Sequence, residues 1–207
     1  VLEFPKQVLE VLRQPLEDGY INISRINSSF TYPSKFVLVW AMNPCPCWYL
    51  TDPDKKCIDS PDQIKRYRSK LSWPMIDRID IMIEVPKVKV EDFWINKDFL
   101  WVETSFDIQK KVQNARDIQL KRFAWTKITS NSQMWQKEIS KFCILDDESE
   151  NMLKKAISTM NLSARAYDRI LKVSRTIADL ENSENIQSHH IAEAIQYRSL
   201  DREGWLG

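Results

Sequence analysis

The run Phe36-Val37-Leu38-Val39-Trp40-Ala41-Met42 is apolar throughout and ends at Asn43-Pro44. A strand with one wet face alternates polar and apolar residues, so an unbroken apolar run predicts a strand covered on both faces, as in a parallel sheet. Ile79 to Val85 reads as a second such strand. Sheets of this kind need helices around them, and the flanking sequence offers them. Phe4, Val8, Leu9, Leu12 and Leu16 recur at helical spacing until Asp18-Gly19, which predicts one amphipathic helix stopped by a glycine. Ile21 to Ile26 and Phe30 to Tyr32 alternate around Asn27-Ser28-Ser29, the pattern of a hairpin. A cysteine-bearing loop, a basic helix from Pro61 to Leu71 and a Pro74-led helical turn then lead to the second strand.

From Thr104 the pattern is helical only: Ser105 to Phe123, Ser132 to Phe142, Glu148 to Met160, Ser163 to Glu181 and Ser188 to Arg198. Four of these begin at or beside a Ser or Asp able to cap free N–H groups. In the fourth, Tyr167, Ile170, Leu171, Ser174, Ile177 and Ala178 form one stripe, with Arg165, Arg169 and Lys172 off it. The predicted fold class is therefore α/β over residues 1–88 joined by a linker, 89–103, to an all-α domain, 104–207.

Thirty basic residues against 29 acidic ones leave no overall field that would draw the chain to nucleic acid or an anionic membrane. Any such contact must be local. No apolar run approaches the roughly 18 to 20 residues that span a bilayer, and no charged-then-apolar leader is visible, so the expected setting is cytoplasmic, without a membrane partner. Three of the four cysteines, Cys45, Cys47 and Cys57, lie together, which suits a metal or thiol cluster better than a secreted disulfide frame. Val1 stands where a start methionine would, and the chain enters a helical pattern at once; a fragment is expected.

Four separated motifs carry a family resemblance. Phe4-Pro5-Lys6-Gln7-Val8-Leu9-Glu10-Val11-Leu12-Arg13-Gln14-Pro15-Leu16-Glu17-Asp18-Gly19 resembles the stretch after the Walker B acids of the Mg-chelatase-like AAA+ ATPases. Ala41-Met42-Asn43-Pro44-Cys45-Pro46-Cys47, Asp77-Arg78-Ile79-Asp80, and Leu162-Ser163-Ala164-Arg165-Ala166-Tyr167 with its continuation to Leu180 resemble later motifs in order and spacing. The resemblance covers essentially the whole chain, which is identified as a member of the YifB/ComM group. It implies the second half of an AAA+ P-loop-type ATPase core followed by a helical lid or C-terminal domain. It further implies ATP and Mg²⁺ as cofactors, a homo-oligomer closing as a hexameric ring, and DNA as partner of a branch-migration helicase. Two alternatives stay open: a magnesium-chelatase motor subunit acting in porphyrin metallation, and a non-catalytic assembly or DNA-binding module. The sequence holds no Gly-x-x-x-x-Gly-Lys phosphate loop and no Walker B acids, so the chain alone is not expected to turn over ATP.

Site residues follow motif by motif. Asn43 stands where a buried strand emerges, the place where α/β sheets bind ligands. It resembles sensor 1, whose amide would orient the attacking water; the alternative is an Asn-Pro turn. Arg78 resembles the arginine finger, a permanent planar charge supplied to a neighbour's phosphoryl group. Its alternative is a salt bridge with Asp77 or Asp80. Arg165 resembles the sensor 2 arginine that touches ATP from the lid, against the alternative of a solvated helix face, the reading kept for Arg169 and Lys172. Arg25, near the hairpin tip, corresponds to a pore hairpin that would track DNA phosphates, against an ordinary surface arginine. Cys45, Cys47 and Cys57 resemble the family's cysteine loop, with Asp59 where a fourth cysteine is common. Together they form a candidate Zn²⁺ site, since zinc accepts thiolates and a carboxylate in tetrahedral ligation; the alternative is a loop of buried thiols. Cys143 reads as core, and His189 and His190, being adjacent, are expected on different faces.

Three glycines against eight tryptophans is an unusual balance. Trp40, Trp48, Trp73, Trp125 and Trp135 occupy turn-like places where relatives tend to have glycine, and an indole needs a large apolar pocket that turns do not supply. The hypothesis is that UGA, read as glycine in the source lineage, has been translated as tryptophan. Its alternative is a tryptophan-rich variant.

Overall fold

The computed structural model describes residues 1–88 and 103–198. They fall into two compact units, one through Ile79 and one from Asp80 onward. The expected linker, 89–103, lies outside the described residues except for its last position.

In the first unit the single expected helix is two, α1 (Lys6–Val11) and α2 (Arg13–Asp18), which meet at Leu12. Pro15 explains the break. It has no N–H for the carbonyl of Val11 and its ring crowds that carbonyl, but as the third residue of a new helix its missing donor costs nothing. Gly19 closes α2 at φ 70, donating its N–H to Pro15 O at 3.0 Å. That left-handed cap is open to glycine at little cost.

Strands β1 (Tyr20–Arg25) and β2 (Ser28–Pro33) pair antiparallel from Tyr20 opposite Pro33 to Arg25 opposite Ser28. The turn is Ile26-Asn27 and not the expected Asn27-Ser28-Ser29. Side-chain pairs across the ladder hold this register: Thr31 Oγ1 donates to Asn22 Oδ1 at 2.6 Å, and the Ser24 and Ser29 hydroxyls lie 3.2 Å apart. The two expected buried strands do not form among the described residues. Val37 and Val39 are 88% and 86% exposed, and Ile81, Ile83 and Val85 are exposed as well. A ladder needs a neighbour at about 4.8 Å, and the only paired strands described are β1 and β2. The basic helix, α3 (Pro61–Arg68), opens with a capping box between Ser60 and Gln63 and is followed by the short α4 (Trp73–Ile76). Leu2, Leu9, Pro15, Cys45, Leu71, Met75 and Ile76 are the buried apolar residues described in this unit.

The second unit is helical: α5 (Ser105–Arg122), a 3₁₀ turn (Asn131–Gln133), α6 (Gln136–Phe142), α7 (Asp147–Met160), α8 (Ala164–Leu180) and α9 (Ser188–Gln196). Side-chain caps come from Thr104, Asp146 and Ser163, which accept from the amides of Asp107, Ser149 and Ala166. Ser105 and Ser188 are thus first helical residues and not caps. The stripe expected on α8 is its buried face, with Ile170, Leu171, Ser174, Ile177 and Ala178 packed among Phe123, Met134, Ile139, Cys143, Leu153 and Ile191. Burying each Ile or Leu contributes about 1.5–3 kcal/mol, so this helix organises the unit.

One polar network crosses that core. Asp179, fully buried, accepts from Arg122 Nη1 at 2.7 Å, Asn131 Nδ2 at 2.8 Å and Arg175 Nε at 3.1 Å. Arg175 also donates to the carbonyls of Ser183 and Glu184 in the segment that follows α8. A buried charge is tolerated when it is paired and bonded on this scale.

Candidate functional site

Arg78 follows α4, and its side chain is only 10% exposed. Nη1 donates to Pro74 O at 2.6 Å, back along its own turn, and Nη2 is ion-paired with Glu17 at the end of α2. Asp80 takes Arg169 Nη1 at 2.5 Å. A cleft of about 460 Å³ opens beside Arg78, lined by Glu10, Val11, Arg13, Gln14, Glu17 and Asp18. Arg13 there is tied to Glu10 at 2.7 Å. The sequence reading missed Glu17; the signal was that a buried guanidinium demands a carboxylate, and α2 ends in Glu17-Asp18.

Asn43 is exposed at the head of the cysteine loop. Arg68 Nε donates to Pro44 O at 3.1 Å, and the Val1 amino group to Ala41 O at 3.1 Å, so both flanks of Asn43 are anchored.

The cysteine loop brings its four expected residues together. The sulfurs of Cys45 and Cys47 lie 3.4 Å apart, those of Cys47 and Cys57 3.4 Å, and those of Cys45 and Cys57 3.8 Å. Asp59 Oδ2 is 3.9 Å from the Cys57 sulfur and accepts the Cys47 amide at 2.8 Å. All four candidate ligand atoms lie within 4.8 Å of one another. Zinc–sulfur bonds of about 2.3 Å in a tetrahedron imply sulfur–sulfur edges of about 3.8 Å, so the donor set and spacing fit zinc. Burial pushes the Cys45 thiol up to about 12, helped by its sulfur neighbours and Asp59. Hydrogen bonds from Cys47 hold the Asp59 carboxyl below its ordinary value. A divalent cation would reverse the cost of charging such thiols.

Trp48, at the turn of this loop, has φ 72 and is 65% exposed. The left-handed region is one that glycine occupies freely and a bulky side chain rarely does. Of the five suspect tryptophans it alone has positive φ. Trp73, Trp125 and Trp135 are exposed without that backbone demand.

Arg165 lies exposed in the first turn of α8, and Arg25 lies exposed at the last rung of the hairpin. Arg169 and Lys172 depart from the solvated reading: Arg169 is engaged by Asp80, and Lys172 Nζ donates to Ser132 O at 3.2 Å. Burial lowers the Lys172 ammonium below its ordinary value. Spacing of three and four along a helix puts Arg165, Arg169 and Lys172 on one face, and that face meets neighbours in its second and third turns.

His189 and His190 are not on divergent faces. Their rings lie 3.9 Å apart, and both Nε2 atoms reach Glu181 Oε2, at 3.0 and 3.1 Å. At the start of α9 one carboxylate from the end of α8 spans both. His190 Nδ1 accepts the Gln187 amide at 2.9 Å, which leaves the proton on Nε2 to be donated to Glu181. With both Nε2 atoms on one carboxylate oxygen, the cluster ties the end of α8 to the start of α9.

Residues 1–93 match the family profile described as magnesium chelatase, subunit ChlI, and residues 102–198 match that of the same subunit's C-terminal region. The chain is 44% identical over 200 residues to the competence protein ComM of Haemophilus influenzae, covering 97% of this chain and 38% of that protein. It is 37% identical to the YifB protein of Escherichia coli and 35% identical to that of Salmonella typhimurium, each again over 97% of this chain and 38% of the relative. The chain therefore spans 38% of the length of these relatives, and it belongs to the Mg-chelatase-like AAA+ family that includes ComM and YifB.

Proposed function

We propose that the full-length protein is a ring-forming AAA+ ATPase that couples ATP hydrolysis at subunit interfaces to the movement of DNA strands, as a branch-migration helicase. The observation that carries this reading is the 44% identity, over 97% of the chain, to a protein named for competence. Residues 1–88 form the C-terminal half of the ATPase core and 104–207 the helical C-terminal domain, joined through 89–103. Asn43 orients the attacking water on its own subunit's ATP, Arg165 reaches the same nucleotide from the lid, and Arg78 serves the neighbouring subunit's. ATP with Mg²⁺ supplies the phosphoryl group and the charge on it. Heterologous contacts that close into a ring set one subunit's edge against the next one's nucleotide, which is what a finger in trans requires. Arg25, at the exposed hairpin tip, contacts the phosphate backbone, and the Cys45, Cys47, Cys57 and Asp59 cluster holds a structural zinc. The setting is cytoplasmic.

A second reading is favoured by the matching profiles themselves, which are named for a magnesium-chelatase subunit. ATP turnover by the full-length protein, measured with forked DNA or with a porphyrin, separates the two. Stimulation by forked DNA alone supports the helicase; stimulation by porphyrin alone contradicts it.

A further inference from the structure

Arg78 is held at both ends of its fork. Pro74 O takes Nη1 at 2.6 Å, and the Glu17 carboxylate takes Nη2. One contact is local to the α4 turn, and the other comes from 61 residues earlier in the chain. A lone arginine samples many rotamers, and a group that stabilises a transition state works best when its position is fixed beforehand. Contacts on both terminal nitrogens define the plane and direction of the guanidinium, with the side chain 10% exposed.

Glu17 is itself well placed for this task. It is in the last turn of α2, one residue before Asp18 and two before the left-handed cap at Gly19, whose amide closes the helix on Pro15. The Pro15 break and the glycine stop thus set where the carboxylate points. The 460 Å³ cleft beside the pair is lined by α1, α2 and Arg78, so the guanidinium sits at the wall of an opening and not in sealed core. The Glu17 carboxylate pairs with Arg78, and Asp80 pairs with Arg169.

We propose that Glu17 is the positioning residue for Arg78, aiming its guanidinium at the phosphoryl group of the neighbouring subunit's ATP. This rests on the reading of Arg78 as a finger. Glu17 touches no reacting atom; it acts through the arginine.

The test compares full-length wild type with Glu17→Ala, Glu17→Gln and Arg78→Ala, reading kcat and KM for ATP. Glu17→Ala is expected to lower kcat by about 10²-fold, the scale of an ångström's misplacement, with KM for ATP within about twofold. Glu17→Gln retains an oxygen that accepts the same bond and restores most of the turnover. Mixing Glu17→Ala subunits with subunits whose own ATP pocket is inactivated recovers activity, because the defect lies in what each subunit gives its neighbour; a merely structural role would not follow that pattern. Glu17→Ala turning over ATP at or above the wild-type rate, while Arg78→Ala is inactive, overturns this inference and leaves the finger standing. Normal turnover by Arg78→Ala overturns both.

Discussion

The backbone amide of Cys47 donates to Asp59 Oδ2 at 2.8 Å, so the carboxylate that follows Cys57 is already held against the first cysteine pair. With three sulfurs at 3.4 to 3.8 Å from one another, the loop gathers four candidate ligands. Protein purified without chelator is expected to carry about one zinc per chain, since structural sites bind tightly. Cys47→Ser should lower that stoichiometry and the thermal midpoint together. Less than about a tenth of an equivalent in the wild type contradicts a structural zinc site.

Trp48 holds φ 72 with its indole largely in solvent, so its backbone bears a cost that its side chain does little to offset. The left-handed region costs a residue with a Cβ roughly 1–2 kcal/mol, and glycine gives back part of that in unfolded-chain entropy. Trp48→Gly should therefore stabilise the protein by about 1 kcal/mol, read as a higher urea midpoint. If the source lineage reads UGA as glycine, the peptide spanning residues 41–55 from the native protein carries glycine at 48. Indole mass at that position contradicts the recoding.

Asp179 is the acceptor on which Arg122, Arg175 and Asn131 converge. Asp179→Ala leaves two guanidinium groups in the core without their shared carboxylate. Removing one partner of a buried ion pair costs about 3–5 kcal/mol, so this variant should show a large fall in unfolding midpoint, well beyond that of Cys47→Ser in metal-free protein. A change below about 1 kcal/mol, the scale of an exposed pair, would contradict the role given to the network.

Two helix caps give the acid side of the stability curve. Hydrogen bonds from Thr104 hold the Asp107 carboxyl below its ordinary 3.8, and hydrogen bonds from Ser149 do the same for Asp146. For a carboxyl whose folded value is depressed, the unfolded chain binds the proton first, so the stabilisation is present above 3.8 and is lost as pH falls below it. Asp146→Asn keeps an acceptor for the Ser149 amide but cannot titrate. Its thermal midpoint should fall less than that of wild type between about pH 5 and pH 3. An equal fall in both proteins contradicts a titrating cap at this position.

The helical unit was legible because its information is local and periodic: the stripe from Tyr167 to Ala178 names the buried face of α8 without any partner being known. The same holds for Gly19, whose stop is written into one residue. Phe36 to Met42 read as a buried strand because composition reports what a segment would bury, not whether a neighbouring strand is there to pair with it. Pairing choices were the least legible. Arg78 had acids one residue before it and two after it, yet it also pairs with Glu17, 61 residues earlier, because helix breaks and turns decide which charges meet. The histidines failed for the same reason in reverse: adjacency was read as divergence, while Glu181 from another helix gathers both. At the cysteine loop the clustering of Cys45, Cys47 and Cys57 was visible in the residues themselves, while Asp59 came only from the family resemblance, and the fold brings all four within 4.8 Å of one another.

ATP turnover by rings of the full-length protein bearing Arg78→Ala tests the trans mechanism most directly. Loss of a charge that stabilises phosphoryl transfer is expected to lower kcat by roughly 10³-fold or more while nucleotide binding is largely kept. Rings of Arg78→Ala subunits and rings of subunits inactivated in their own ATP pocket should each be inactive, and mixed rings should recover part of the activity at interfaces that pair an intact pocket with an intact finger. Arg78→Ala rings that hydrolyse ATP at the wild-type rate would contradict the mechanism and reduce Arg78 to the salt-bridge partner of Glu17.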